Sequence, residues 1–179
     1  FADGPNWADY LGYANLGHTT APSLAGGTNF AFGGARAAVD DVRPEGTIPG
    51  LQTQAGMFVS TLGPSNPFDV DALYIINFGN NDVNAIQSGD TEGLTVAQYQ
   101  QAYVANMGGA VQTLAAAGAH NILLAGVPNP LEPEGVLLQS MLDAQLDMIE
   151  PLLPATTSLY RFDYFAFFYA LLADPTQLD

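Results

Sequence analysis

Two apolar runs of strand length, separated by a long amphipathic stretch, constrain the fold more than any other feature. Residues 72–78 and 121–128 are nearly continuous apolar segments, as in strands that are buried on both faces of a sheet. Between them, apolar side chains recur every three or four positions over residues 95–117, and Thr95 and Gln98 can form a capping box. Two strands joined by a helix predict a βαβ unit, and so an α/β protein with a parallel sheet.

The rest of the chain continues this alternation. Further helices are predicted at residues 6–11, 51–62, 135–153 and 165–173, and further strands at residues 30–32 and 159–164. The first helix is expected to be broken up by Gly12 and Gly17. The whole pattern indicates a doubly wound parallel sheet with helices on both faces. No internal repeat or linker divides the chain, so we predict one domain over residues 1–179.

The charge of the chain excludes two classes of partner. Its 18 acidic and 3 basic side chains give a net charge of −15, and all three bases are arginines. Nucleic-acid binding needs clustered Lys and Arg, and so does docking on anionic lipid. The absence of cysteine excludes disulfides, a thiolate metal site and a cysteine nucleophile. No apolar run is long enough to predict a membrane-spanning segment, and the absence of lysine favours an exported protein.

Two loops at the predicted carboxyl edge of the sheet, where ligands of parallel sheets bind, form the candidate site. In Gly79-Asn80-Asn81-Asp82, an amide can donate a hydrogen bond to an oxyanion, and a carboxylate can brace the loop. In Gly33-Gly34, a backbone N–H can approach a ligand closely because glycine has no Cβ. Taken singly, each motif is more typical of an ordinary turn.

Three segments in order carry a resemblance to a known family. They are Phe1-Ala2-Asp3-Gly4-Pro5-Asn6-Trp7, Asn29-Phe30-Ala31-Phe32-Gly33-Gly34-Ala35-Arg36 and Gly79-Asn80-Asn81-Asp82. In this order and at this spacing the chain resembles the GDSL-type esterases and lipases of the SGNH hydrolase superfamily, particularly exported bacterial lipolytic enzymes and autotransporter esterases. The resemblance covers nearly the whole chain. It implies a three-layer α/β/α, flavodoxin-like fold and a serine hydrolase of carboxylic esters that needs no metal or organic cofactor.

The resemblance also implies roles for individual residues. Asn81 corresponds to the side-chain donor of an oxyanion hole, and Gly34, less favourably Gly33, corresponds to a backbone donor. Gly79 supports the Gly-x-Asn-Asp motif, and Asp82 braces its loop without acting as a catalyst. The third donor in the family is the backbone N–H of the nucleophilic serine.

The chain departs from the family where the nucleophile and the base are concerned. The family carries its serine in a Gly-Asp-Ser-Leu block and its histidine in an Asp-x-x-His block, and neither block occurs here. His18 and His120 lack an aspartate three residues earlier, where Asn15 and Ala117 stand. A structural or surface role is therefore expected for both histidines.

The missing blocks predict an incomplete sheet. In the family, the strand before the nucleophile is central, and here it would lie between the strands at residues 30–32 and 72–78. Without it these strands expose unpaired backbone N–H and C=O groups. We therefore expect residues 1–179 to be part of a larger folding unit, truncated at both ends relative to the family. Further residues of the same polypeptide, a cleaved protein whose pieces stay together, or a homo-oligomer could complete it.

Two hypotheses of function remain open. The first is an ester hydrolase, secreted or held at a bacterial cell surface, that acts on an ester or lipid-like small molecule. Its nucleophile and base come from segments outside this chain, which alone is expected to be inactive. The second is a degenerate, non-catalytic hydrolase fold that serves as a binding or assembly module.

Two further features are expected to be structural. The aromatic-rich stretch at residues 162–169 is expected to lie in the core rather than to contact lipid. The acidic pairs Asp40-Asp41 and Asp69/Asp71 are expected to form a solvated face rather than a calcium site.

Overall fold

The structure, a computed structural model that describes residues 7–17, 20–174 and 176, contains six helices and five strands within those residues. The helices are α1 (Trp7–Leu16), α2 (Leu51–Ser60), α3 (Asn80–Ser88), α4 (Val96–Ala116), α5 (Pro133–Ile149) and α6 (Tyr164–Ala173). The strands are β1 (Asp41–Arg43), β2 (Gly46–Ile48), β3 (Leu73–Asn77), β4 (Asn121–Ala125) and β5 (Ser158–Phe162). Short 3-10 turns occur at Ser23–Ala25 and Glu150–Leu152.

Strands β3, β4 and β5 form a parallel sheet in that order. Leu73 pairs with Asn121 and Asn121 with Ser158, so the three strands begin level with one another. Strands β1 and β2 form a separate antiparallel hairpin. The α/β class and the parallel sheet are therefore confirmed.

The long helix α4 begins and packs as its sequence indicates. Thr95 and Gln98 form the capping box, in which each side chain bonds the backbone N–H of the other residue. Tyr99, Tyr103, Met107 and Val111 recur on one face and are fully buried. They belong to one core cluster with the inward side chains of α5 and of the strands, which include Leu138, Leu142, Leu146, Ile76, Ile122 and Leu124.

Helices α4 and α5 lie on the same face of the sheet. Each connects neighbouring strands in one direction along the sheet, and right-handed crossovers then place both helices on one side. On the opposite face, Leu73, Ile75 and Tyr160 remain 45%, 37% and 51% exposed. The expectation that residues 72–78 are buried on both faces is thus wrong for Leu73 and Ile75. The third layer implied by the family resemblance stays a prediction.

The free edge of β3 is the other open feature of the sheet. Among the described residues, β4 is the only strand that pairs with β3. No strand forms at residues 30–32, where one was predicted, and the nearest ladder contact is an isolated bridge between Pro22 and Asn29. Phe30 is held by its side chain instead, because its ring packs edge-on against Phe58 at 5.5 Å.

Three smaller expectations also fail. Helix α1 continues through Gly12, which is buried. It ends at Leu16, just before Gly17, whose φ is 73°. Residues 80–82 form the first turn of α3 rather than a loop. No residue of α6 is buried, so the apolar stretch at residues 162–169 does not form core within the described part of the chain. Its rings pack chiefly on one another, as Phe162 does on Tyr164.

Candidate functional site

The Gly-Asn-Asn-Asp motif begins a helix at the carboxyl end of β3. Gly79 is the N-cap of α3, with a φ of 136° that L side chains rarely adopt. A Cβ on Gly79 would lie 3.2 Å from the Tyr103 hydroxyl and from Val127. Glycine therefore allows β3 to turn directly into α3, which brings Asn81 to the edge of the sheet. The N-terminus of a helix carries partial positive charge, which favours an anion at this place.

The glycine pair lies at the centre of a tight turn. Ala35 N donates to Phe32 O at 3.2 Å, which places Gly33 and Gly34 between them. Gly34 has a φ of 84°, as the third position of a type II turn requires. A Cβ there would lie 3.0 Å from Ile48 Cδ1, so the hairpin also restricts this position. The N–H of Gly34 donates to no other described residue.

A direct hydrogen bond joins the Gly-Asn-Asn-Asp motif to the residue after the glycine pair, although the two lie more than forty residues apart in the sequence. The Nδ2 atom of Asn81 donates to Ala35 O at 3.0 Å, one residue after Gly34. An asparagine amide has two N–H groups, so this bond orients the amide and leaves the other N–H for a ligand. The structure thus brings Asn81 close to the turn that carries Gly34, as the oxyanion-hole hypothesis requires.

Asp82 ties the same segment to α3 from within the core. Its side chain is 0% exposed, and it accepts the backbone N–H groups of Ala37 and Ala38 at 3.0 Å. Burial raises the pKa of Asp82, whereas the hydrogen bonds from Ala37, Ala38 and Tyr99 and the charge of Arg36 lower it. The carboxylate faces protein donors and is sealed from solvent, so a bracing role fits its geometry better than a catalytic one.

Residues that carried no sequence motif complete the surroundings of the site. The hydroxyl of Tyr99 donates to Asp82 Oδ1 at 3.1 Å, and Asn106 Nδ2 donates to the carbonyls of Ala37 and Ala38 at 2.8 and 3.0 Å. These contacts join residues that are distant in the sequence, so no local pattern could reveal them. The one available signal is a polar position on the otherwise apolar face of α4.

Arg36 forms a second buried connection beside the site. Its guanidinium donates to Asp90 O at 2.8 Å and Asp90 Oδ2 at 2.6 Å, and lies 3.4 Å from Asp41 Oδ1. Asp41 is 1% exposed and also pairs with Arg43. The expectation of a solvated acidic face is therefore wrong for Asp41. Its carboxylate is buried and forms ion pairs with Arg36 and Arg43. Asp40 accepts Gly50 N at 2.7 Å.

His120 lies at the other end of the sheet. It precedes β4, so the five residues of that strand separate it from the carboxyl edge by roughly 17 Å at about 3.3 Å per residue. Its Nδ1 is 2.8 Å from Asp71 Oδ1, and its backbone bridges Val70 and Ser158. This agrees with the structural role expected for His120. His18 and residues 1–6, with most of the first family-like segment, lie outside the described residues.

The described residues contain no cluster of three or more His, Asp or Glu side chains that could hold a metal ion. None of the described helices combines the length and apolar character that crossing a membrane requires. No family model matches the chain, and a search of curated proteins finds no match either.

Proposed function

We propose that this chain contributes the oxyanion hole of a serine ester hydrolase of the GDSL type. The observation that carries the proposal is the contact between the two motifs at the carboxyl end of β3. Asn81 donates to Ala35 O beside Gly34, and Asp82 holds the backbone two residues further on. An oxyanion hole needs a side-chain amide and a backbone N–H at one point, and the bond to Ala35 holds the amide of Asn81 beside the turn that carries Gly34.

The proposed reaction proceeds through an acyl-enzyme. A serine hydroxyl attacks the ester carbonyl while a histidine takes its proton, and the tetrahedral oxyanion accepts hydrogen bonds from Gly34 N–H and Asn81. The intermediate collapses, the alcohol leaves with the proton from histidine, and water then releases the acid by the same steps in turn. The serine and the aspartate–histidine pair come from segments outside these residues, since the sequence contains neither a Gly-Asp-Ser-Leu nor an Asp-x-x-His block.

The open edge and face of the sheet support a contribution from further segments. A strand beside β3 would pair its free edge and complete the flavodoxin-like sheet, and a helix on the face of Ile75 would supply the third layer. A nucleophile that follows such a strand would emerge at the carboxyl edge, next to Asn81. We place the protein outside the bacterial cytoplasm, with an ester or lipid-like small molecule as substrate and no cofactor.

A binding or assembly module is the second candidate. Its basis is the polar turn itself, where the N-terminus of α3 favours an anion and the N–H of Gly34 donates to no other described residue. In that case the polar turn at Gly34 and Asn81 would bind an acidic group without reaction. Labelling by a serine-directed fluorophosphonate separates the two candidates.

The test uses a polypeptide that contains these residues together with a Gly-Asp-Ser-Leu block and an Asp-x-x-His block. Loss of one oxyanion donor costs about 2.7–4 kcal/mol in the barrier, so Asn81→Ala should lower kcat about a hundredfold or more. The control is Asn84→Ala, an exposed asparagine of the same helix, which should leave kcat unchanged. Unchanged kcat in Asn81→Ala would remove this residue from the mechanism. Failure of the unmutated polypeptide to react with fluorophosphonate would favour the binding module.

A further inference from the structure

The segment 35–38 is a buried loop, and buried loops need partners for their backbone. Ala35, Arg36, Ala37 and Ala38 are all buried, yet none belongs to a helix or strand. Their N–H and C=O groups cannot bond to a neighbouring strand, and an unpaired buried backbone group is costly. Most of the bonds that hold this loop come instead from side chains of α3 and α4.

These side chains bond both the N–H groups and the carbonyl groups of the loop. Asp82 accepts the N–H groups of Ala37 and Ala38, and Asn106 donates to the carbonyls of the same two residues at 2.8 and 3.0 Å. Asn81 donates to the carbonyl of Ala35. The loop is thus bound at five backbone atoms, beginning one residue after Gly34.

Tyr99 completes this arrangement from α4. It is fully buried, and its hydroxyl donates to Asp82 Oδ1 at 3.1 Å. Burial and the negative charge of Asp82 raise the pKa of the Tyr99 phenol, so the group stays protonated and acts as a donor. A buried carboxylate needs several donors, and Tyr99 is the one that does not belong to the loop itself.

We propose that Tyr99 and Asn106 are positioning residues, which act through Asp82 and the 35–38 loop to set the Gly34 N–H relative to the amide of Asn81. A role in catalysis rests on the proposed function, but the positioning itself is a property of this chain. Loss of the Tyr99 hydroxyl should loosen the loop locally, because Asp82 then keeps only donors from the loop that it holds.

The chain contains a matched control for this experiment. Tyr103 lies one turn along α4, is also fully buried, and its hydroxyl has no hydrogen-bond partner among the described residues. Tyr99→Phe and Tyr103→Phe each remove one buried hydroxyl from the same helix. Only the first removes a hydrogen bond to a charged group, so the two variants separate positioning from a general effect on the core.

Amide hydrogen exchange of the 179-residue chain provides the readout. In Tyr99→Phe, the amides of Ala37 and Ala38 should exchange about tenfold faster or more, while those of Ile122 and Leu124 in β4 keep their rates. Tyr103→Phe should change neither set. Asn106→Ser is a second variant with the same expected pattern. Equal effects of the two tyrosine variants on the loop, or a uniform increase over all amides, would overturn the proposal.

Kinetics in a catalytically competent polypeptide distinguish this inference from the proposed function. If both are correct, Tyr99→Phe lowers kcat with little change in KM, and Tyr103→Phe changes neither. Suppose instead that the loop amides exchange faster in Tyr99→Phe but kcat does not change in Asn81→Ala. The positioning of the loop by Tyr99 would then stand, and the oxyanion role of Asn81 would be rejected. If the amides of Ala37 and Ala38 exchange at wild-type rates in Tyr99→Phe, the positioning role of Tyr99 is rejected, whatever the value of kcat.

Discussion

Asp82 shows how a single buried charge can organise a site that it does not enter. It is sealed from solvent, and its oxygens accept two backbone N–H groups and one phenol. The hydrogen bonds to the loop are gained at the expense of desolvating a carboxylate, which is why the pKa of Asp82 is raised. Such a residue specifies the backbone around Gly34 more than it stabilises the fold.

The raised pKa of Asp82 predicts a pH dependence of stability. A raised pKa in the folded state means that this group favours folding most below its unfolded pKa near 3.8, and that the advantage is lost as pH rises through the folded pKa. Asp82→Asn keeps an acceptor for the loop but does not titrate. The free energy of unfolding of Asp82→Asn minus that of the wild type should therefore be larger at pH 7 than at pH 4. Urea denaturation at both pH values measures this difference.

Asp82→Ala serves as the comparison for that experiment. It removes the acceptor of two buried N–H groups, so it should lose about 1–3 kcal/mol of stability for each unpaired group at both pH values. The idea of a charge that is costly to bury fails if the wild type and Asp82→Asn differ in stability by the same amount at pH 4 and pH 7.

Among the helices and strands, α4 is the one whose limits follow most clearly from local sequence signals. Thr95 and Gln98 pair at its N-terminus, and Gly118, just beyond its C-terminal cap, has a φ of 101°. Thr95→Ala should lower the free energy of unfolding by about 1 kcal/mol, because the backbone N–H of Gln98 loses its acceptor. Urea denaturation checks this value against Thr113→Ala, an exposed position inside the same helix. A loss no larger than that of Thr113→Ala would contradict the assigned cap.

The same element shows how much of the fold the sequence could predict. Apolar spacing and a capping box are local signals, and they located α4 closely. A strand depends on a neighbour, so the Phe30–Phe32 alternation predicted a strand that does not form where no second strand pairs with it. The hairpin of β1 and β2 was missed because each strand has three residues, which is too short to show a period.

The residues of the candidate site also differ in whether the sequence alone could reveal them. Gly34, Asn81 and Asp82 lie in short motifs and could be named from the sequence, although residues 80–82 were expected to form a loop. Tyr99 and Asn106 could not, since their importance comes from contacts with residues far away in the sequence. Short motifs single out the candidate site residues, whereas the residues that hold them in place from elsewhere in the sequence become visible only with the fold.

At the scale of the whole molecule, charge and apolar surface are unevenly distributed. The face of the sheet opposite α4 and α5 carries nine paired positions without a single charged side chain: Leu73, Asn121, Ser158, Ile75, Leu123, Tyr160, Asn77, Ala125 and Phe162. Of these, Ala125 is buried. The chain as a whole has a net charge of −15. Apolar attraction through this sheet face therefore competes with electrostatic repulsion between copies.

This competition predicts the solution behaviour of the 179-residue chain when it is expressed alone. It should self-associate in a concentration-dependent way, and more strongly at 0.5 M than at 0.05 M salt, because salt shortens the range of repulsion. Ile75→Lys places a charge on the exposed sheet face and should weaken the association. Val136→Lys, at an exposed apolar position on α5, is the control and should not. Sedimentation velocity over a range of concentrations measures both. A chain that stays monomeric at high salt, or equal effects of the two lysine variants, would show that this sheet face does not drive association.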